Sequence, residues 1–174
     1  LHQTSQVLSF TEKMKAQGMV VETKLICKEL ADANAEITAS LKVAPPDRVW
    51  KIQRLRIVQG EPFALQTSFV PQWIGELLSN EELETESLNP LIQRKCGIQL
   101  SRSDVWIEDP ILSRKELRLL GNPHLSRALA IIGLTFDQDN EPVRFSRGVF
   151  RGDRVRLRVS NSNVFGLDYP WSPL

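Results

Sequence analysis

Apolar and polar residues alternate with a period of two through much of the chain, which is the pattern of strands with one buried face. It predicts strands over 20–30, 49–58, 63–70, 101–112, 128–136, 142–150 and 154–159. Helix signals fall between them. Ser9-Phe10-Thr11-Glu12 fits a capping box, predicting a helix from there to about Gln17, stopped by Gly18. Residues 33–42 form a short helix with Ile37 and Leu41 four apart, and 73–78 a helical turn beneath an acidic loop. Asn89-Pro90 opens a helix to about Lys95 that Gly97 ends, and Ser113 with Glu116 forms a second capping box before Gly121-Asn122-Pro123. Turns are predicted at 59–62, 137–141 and 151–153; residues 160–174 read as an irregular tail that packs across the surface or stays mobile. Strands outnumber helices and neighbours are joined by tight hairpins. The expected class is α+β, a mainly antiparallel sheet with flanking helices, in one domain over 1–159 plus the tail.

Within that sheet, Val49–Val58 (VWKIQRLRIV) is the most informative strand. One face carries Trp50, Ile52, Arg54, Arg56 and Val58, so two arginines stand side by side on a face that begins and ends apolar. Two cations against hydrocarbon are costly unless something negative meets them. Protein carboxylates or an anionic ligand would fill that role, and guanidinium suits phosphate or carboxylate because its planar fork of donors matches their oxygens.

Composition narrows the function classes. The 174 residues carry a net charge of +1, so no global field draws the chain to nucleic acid, and no apolar run reaches membrane-span length. Cys27 and Cys96 match no metal spacing and read as reduced thiols of a cytoplasmic protein; His2 and His124 are isolated. No metal, cofactor or nucleophile motif is present, and the start at Leu1 suggests a piece of a longer protein. The last hairpin holds Arg144, Arg147, Arg151, Arg154, Arg156 and Arg158 against one acid, Asp153. Because Arg154, Arg156 and Arg158 alternate with Val155, Leu157 and Val159, a solvated face or a salt-bridged dimer seam fits better than a DNA surface.

The motifs occur in a recognisable order: SFTE, a strand with RLR, QGEP, a strand ending FVP, an SL-containing helix entry ending CGI, a capped LLGNP helix, and PVRFSRGVFRGDR. Together they resemble the UTRA domain, the effector-sensing half of HutC-type GntR-family transcriptional regulators. The resemblance implies a chorismate-lyase-like fold without enzymatic activity or cofactor, a pocket for a small anionic metabolite (a phosphorylated sugar or a carboxylate), and a homodimer. It also implies an N-terminal winged helix-turn-helix, outside this chain, through which operator DNA is bound. A chorismate-lyase-type enzyme and a dimerisation module with a vestigial pocket are the alternatives.

The resemblance further implies effector contacts from Arg54 and Arg56, and from Ser9, Phe10 and Thr11 at a helix N-terminus, where Ser9 also fits as a plain cap. Ser87 and Asn89 match the family's SLY helix entry with Asn in place of Tyr, although Asn89 capping ahead of Pro90 is the simpler reading. Gln66 and Arg144 occupy positions where amino-sugar-sensing relatives tend to have glutamate. Gln66 shares the face of Arg54 only if the intervening turn has the right parity. Arg144 either points inward, making a third cation that favours a more anionic ligand, or pairs with Glu141 or solvent.

Overall fold

The computed structural model describes residues 14–159 and 165–168. Among the described residues there are eight strands: β1 (Val21–Ala31), β2 (Val49–Val58), β3 (Glu61–Pro71), β4 (Leu100–Glu108), β5 (Ala128–Asp137), β6 (Pro142–Arg151), β7 (Arg156–Val159) and β8 (Phe165–Asp168). The five helices between them are α1 (Ala35–Leu41), α2 (Gln72–Gly75), α3 (Asn80–Thr85), α4 (Leu88–Cys96) and α5 (Arg114–Leu119). Six strands form one sheet in the order β1-β2-β3-β6-β5-β4, with every neighbouring pair antiparallel. The fold is the expected α+β architecture.

Local chemistry accounts for most boundaries. Asn34 caps α1 by accepting a bond from the Ile37 amide at 2.9 Å. Gln59 and Gly60, at φ 52° and 79°, make the two-residue turn between β2 and β3, where paired positive φ values match the twist of a hairpin. Ser113 and Glu116 form the expected capping box, and Gly97 ends α4 at φ 67°.

Three expectations need correction, the first being the last hairpin: the strand after Arg151 does not return along β6 but lies in a separate two-stranded sheet. The acidic stretch after Leu78 is a helix, α3, not a loop. Ser79 and Glu82 close a capping box there, and Leu83 packs fully buried on the inner side. Within the supposed irregular tail, Phe165–Asp168 pairs with Arg156–Val159 in a second, two-stranded sheet. The first predicted capping box, at Ser9, lies outside the described residues; the end of its helix does not, and Gly18 terminates it at φ 75°.

Helices cover both faces of the large sheet. On one, Leu78, Leu83, Leu88, Leu91 and Ile92 from the α2–α4 region pack with Ile52 and Val70. On the opposite face, α1 covers Val49, Ile132 and Phe145, while Leu120 after α5 covers Leu55, Leu65 and Val149. Burying these side chains is the main stabilising term.

The α3 cap also gives an acid-sensitive joint. Glu82 is held by Lys95 at 2.8 Å and by the Ser79 amide at 3.0 Å; the Lys95 bond first, then the Ser79 amide, push its carboxyl down to about 2. The stabilisation from a depressed carboxyl is fully present above its unfolded pKa, about 4.3, and is lost as pH falls through the folded value. Wild type should therefore resist urea better than Glu82→Gln at pH 6, with the gap closing between pH 4 and pH 2. A gap of constant size would show that the carboxylate is not what ties α3 to α4.

Candidate functional site

The face of the sheet that carries α2–α4 has an apolar cluster at each end. At one, Ile52 and Val70 lie under the helices; at the other, Val58, Phe63, Ala64, Phe150 and Val155 pack together. Between them runs a polar strip. Cross-strand pairing sets Arg54 opposite Gln66 and Gln66 opposite Gly148, and the next row sets Ile52 opposite Ser68, Ser68 opposite Ser146 and Ser146 opposite Gly133. Directly opposed residues share a face, so these side chains all project to the same side. Gly148 and Gly133 lower the floor: a Cβ on Gly148 would come 3.0 Å from the Phe150 ring, and one on Gly133 3.0 Å from Ser146 Oγ.

Gln66 reaches this row through a backbone irregularity. The two-residue turn pairs Val58 with Glu61 and Ile57 with Pro62, a register that would have brought Leu65 opposite Arg54. The register shifts between Ile57 and Arg56, so Arg56 meets Ala64 and Phe63 is the extra residue. The shift lets the sequence neighbours Phe63 and Ala64 both enter one apolar cluster, where Phe63 packs edge-on to Phe150 at 5.8 Å. A two-residue turn alone would have set Gln66 on the face away from Arg54, and the bulge brings the two together.

Arg54 and Arg56 are deeply enclosed, at 4% and 2% exposure. Arg54 Nη1 donates to the carbonyls of Leu83 at 3.2 Å and Glu86 at 3.0 Å, in the last turn and at the C-cap of α3. Helix-terminal carbonyls carry partial negative charge, which compensates a cation only in part. Burial pushes the Arg54 guanidinium down to about 9, with the charges of Arg56 and Arg144 adding to the effect. Burial likewise pushes Arg56 and Arg144 down to about 10.

Arg144 points inward. Its Nη1 bonds Asn89 Oδ1 on α4 and its Nη2 donates to Ser146 Oγ at 3.2 Å. Its Nε is buried without an acceptor among the described residues. Glu141, the alternative partner, pairs with Lys42 instead, at 3.1 Å. Asn89 is therefore not the helix cap: Ser87 holds the N-cap position, without a side-chain bond to the helix amides, and Asn89 orients Arg144. Gln66 is partly exposed and its side chain makes no hydrogen bond among the described residues. Ser9, Phe10 and Thr11 lie outside the described residues.

Ion pairs between described residues leave Arg54 and Arg144 without a carboxylate, although the surface is well supplied with such pairs. Three of the arginines that follow Arg144 are matched within the chain. Arg147 meets Glu116, Arg151 meets Asp153 at 2.6 Å, and Arg154 meets Glu61 at 2.9 Å. Among the described residues no group of three or more His, Cys, Asp or Glu could hold a metal ion, and no helix is long and apolar enough to cross a membrane. Sequence reasoning missed Ser146 and the α3 carbonyls. The spacing of Arg144, Ser146 and Gly148, each two apart, was the available signal for the first.

A six-stranded antiparallel sheet with helices on both faces is the fold of regulator effector domains. The effector domain of PhnF from Mycobacterium smegmatis superposes with a TM-score of 0.77 at 26% identity, over 84% of this chain and 90% of that one. The ligand-binding domain of a putative GntR-family regulator from Bordetella bronchiseptica shares the fold, with a TM-score of 0.74 at 21% identity, over 81% and 90% of the two chains. In sequence, the transcriptional repressor NagR of Bacillus subtilis is 33% identical over 147 residues, 84% of this chain and 60% of the repressor's length. The UTRA domain model matches residues 16–156, and the chain belongs to the UTRA domain family. It is homologous to the effector domains of GntR-family transcriptional repressors and spans about 60% of the length of such a relative.

Proposed function

We propose that this chain is the sensing domain of a bacterial transcriptional regulator and that the polar strip binds a small anionic metabolite, a phosphorylated sugar or a carboxylate. One observation carries the reading. Arg54, Arg56 and Arg144 share an enclosed strip, and no ion pair between described residues gives Arg54 or Arg144 a carboxylate. Arg54 and Arg56 supply donor forks for the anion, Arg144 on its Asn89 and Ser146 supports a second negative group, and Gln66 offers a donor and an acceptor to a hydroxyl. Ser9, Phe10 and Thr11, with Ser87, complete the proposed contacts. Homology to regulators supports a role without catalysis and without a cofactor.

The regulator would act as a cytoplasmic homodimer. Operator DNA would be held by a domain outside this chain, and the sensing domain would span 1–159. Ligand shifts such a dimer only by its differential affinity for two arrangements.

The test is thermal unfolding and calorimetric titration of the chain with inorganic phosphate, sugar phosphates, dicarboxylates and neutral sugars. A true effector at 100 times its dissociation constant adds about 2.7 kcal/mol. For a domain of this size that is a rise in Tm of about 5–10 °C. Neutral sugars should have no effect. A flat response to every anion would overturn the reading.

A further inference from the structure

The two cationic ends of the polar strip meet one short stretch of chain. Arg54 donates to the Glu86 carbonyl at 3.0 Å, and Arg144 donates to Asn89 Oδ1. Those acceptors lie three residues apart, a span of about 11 Å at most. Both guanidinium groups therefore fall within the length of one small molecule. On the floor between them stand an amide and two hydroxyls. Gln66 is in the row of Arg54, Ser68 and Ser146 are in the next, and Arg144 lies one row beyond on β6.

The acids within reach are engaged elsewhere. In α3 and at its C-cap, Glu82 pairs with Lys95 at 2.8 Å and Glu86 with Arg94 at 2.7 Å, while Glu84 accepts from the Leu25 amide at 3.0 Å. The segment thus offers Arg54 its backbone carbonyls and keeps these carboxylates away. The acceptors at Arg144 are neutral too, the Asn89 amide and the Ser146 hydroxyl. An aspartate would fit position 89 with nearly the same shape. It would cancel the charge that the amide leaves standing.

We propose that Asn89 is a positioning residue that sets the charge the pocket reads. By holding Arg144 through a neutral amide, it reserves that guanidinium for a second anionic group of the effector, a phosphorylated sugar acid. The inference rests on the strip being the effector site and adds that its two ends are read together. The phosphate meets Arg54 and Arg56, and the carboxylate at the other end of the carbon chain meets Arg144. The hydroxylated middle lies over Gln66, Ser68 and Ser146. A sugar phosphate with a neutral far end would cover Arg144 without bringing it a counter-charge, which costs affinity.

Calorimetric titration of the chain with 6-phosphogluconate, glucose 6-phosphate and gluconate tests it. The first carries both anionic groups and the others one each. Wild type should bind 6-phosphogluconate about 10-fold or more tighter than either, the worth of one charge-assisted bond. Asn89→Asp should lose most of that preference by weakening 6-phosphogluconate. Its Tm without ligand should stay at or above that of wild type, because the new carboxylate pairs with Arg144. Asn89→Ser, which adds no charge, should keep the preference. Wild-type binding of 6-phosphogluconate no tighter than that of glucose 6-phosphate would overturn the inference, as would an unaltered preference in Asn89→Asp. So would a fall in Tm with equal weakening of all three ligands, the mark of a purely structural role. Each of these outcomes leaves the anion site standing; a chain that binds no anion at all would overturn the site itself.

Discussion

Replacing Arg54 and Arg56 together by methionine is expected to abolish binding of the anionic effector while leaving a folded protein. Charge-assisted hydrogen bonds contribute about 1.5–3 kcal/mol each. Losing one from each arginine should therefore weaken affinity by about 100-fold to 10,000-fold. The effect on the ligand-free chain is a balance. Removing Arg54 strands the Leu83 and Glu86 carbonyls, at about 1–3 kcal/mol per buried acceptor. It also removes a buried cation that has no carboxylate partner among the described residues, and replacing such charges by hydrocarbon of similar volume is often neutral or stabilising. Urea unfolding of the double variant should stay close to wild type, while titration with the best anion of the panel should show no heat. Arg144→Met is the informative companion. It should cost a doubly charged ligand about 10-fold or more, by the loss of one such bond, and a singly charged ligand far less. Equal losses for both would remove Arg144 from the proposed contacts, and unaltered binding in the Arg54/Arg56 variant would end the sensor reading.

Gly75→Ala is expected to have the largest effect on stability. Gly75 is buried at the end of α2, and a Cβ there would lie 2.2 Å from Cδ1, 2.3 Å from Cγ and 2.5 Å from Cβ of Trp50. The contacted atoms are the root of an indole, not a flexible tip, so the ring or the helix must move. Trp50 has little room to yield, because Lys28 Nζ sits 4.5 Å over its ring while donating to the Leu78 carbonyl. Overpacking of this kind costs about 1–3 kcal/mol and sometimes more. At the upper end, that lowers Tm by about 6–12 °C. The clash is specific: in a Trp50→Ala background, Gly75→Ala should cost little, so the two substitutions should show strong coupling in a double-mutant cycle. Additive effects would locate the damage elsewhere.

Much of this molecule is legible from alternation and capping. The diarginine strand, its hairpin partner, the β5–β6 hairpin and the Ser113 box follow from local pattern, because each element buries one face and its ends carry their own hydrogen-bonding signals. What escaped was set by competition. Ser79-Asn80-Glu81-Glu82 carries a capping box as clear as the one at Ser113, but its acidic composition suggested a loop; Leu83 and the Arg54 contact make it a helix. Phe165–Asp168 is too short for periodicity and exists as a strand because β7 offers it a partner. At the site, two arginines on one face were visible at once. Asn89 was misread because Pro90 after it mimics a cap, whereas its amide oxygen is taken by a side chain 55 positions away. Long-range choices of that kind leave no local trace.

The extra residue at Phe63 has a consequence for how receptors of this type diversify. Were Phe63 taken into the ladder instead of bulging out, one strand would slide by a single step, and a leucine, rather than a glutamine, would sit beside Arg54. No residue touching the effector would have mutated, yet the recognition surface would have changed its polarity at the centre. Making or losing a bulge near a hairpin can thus retune chemical selectivity as sharply as substitutions inside the cavity.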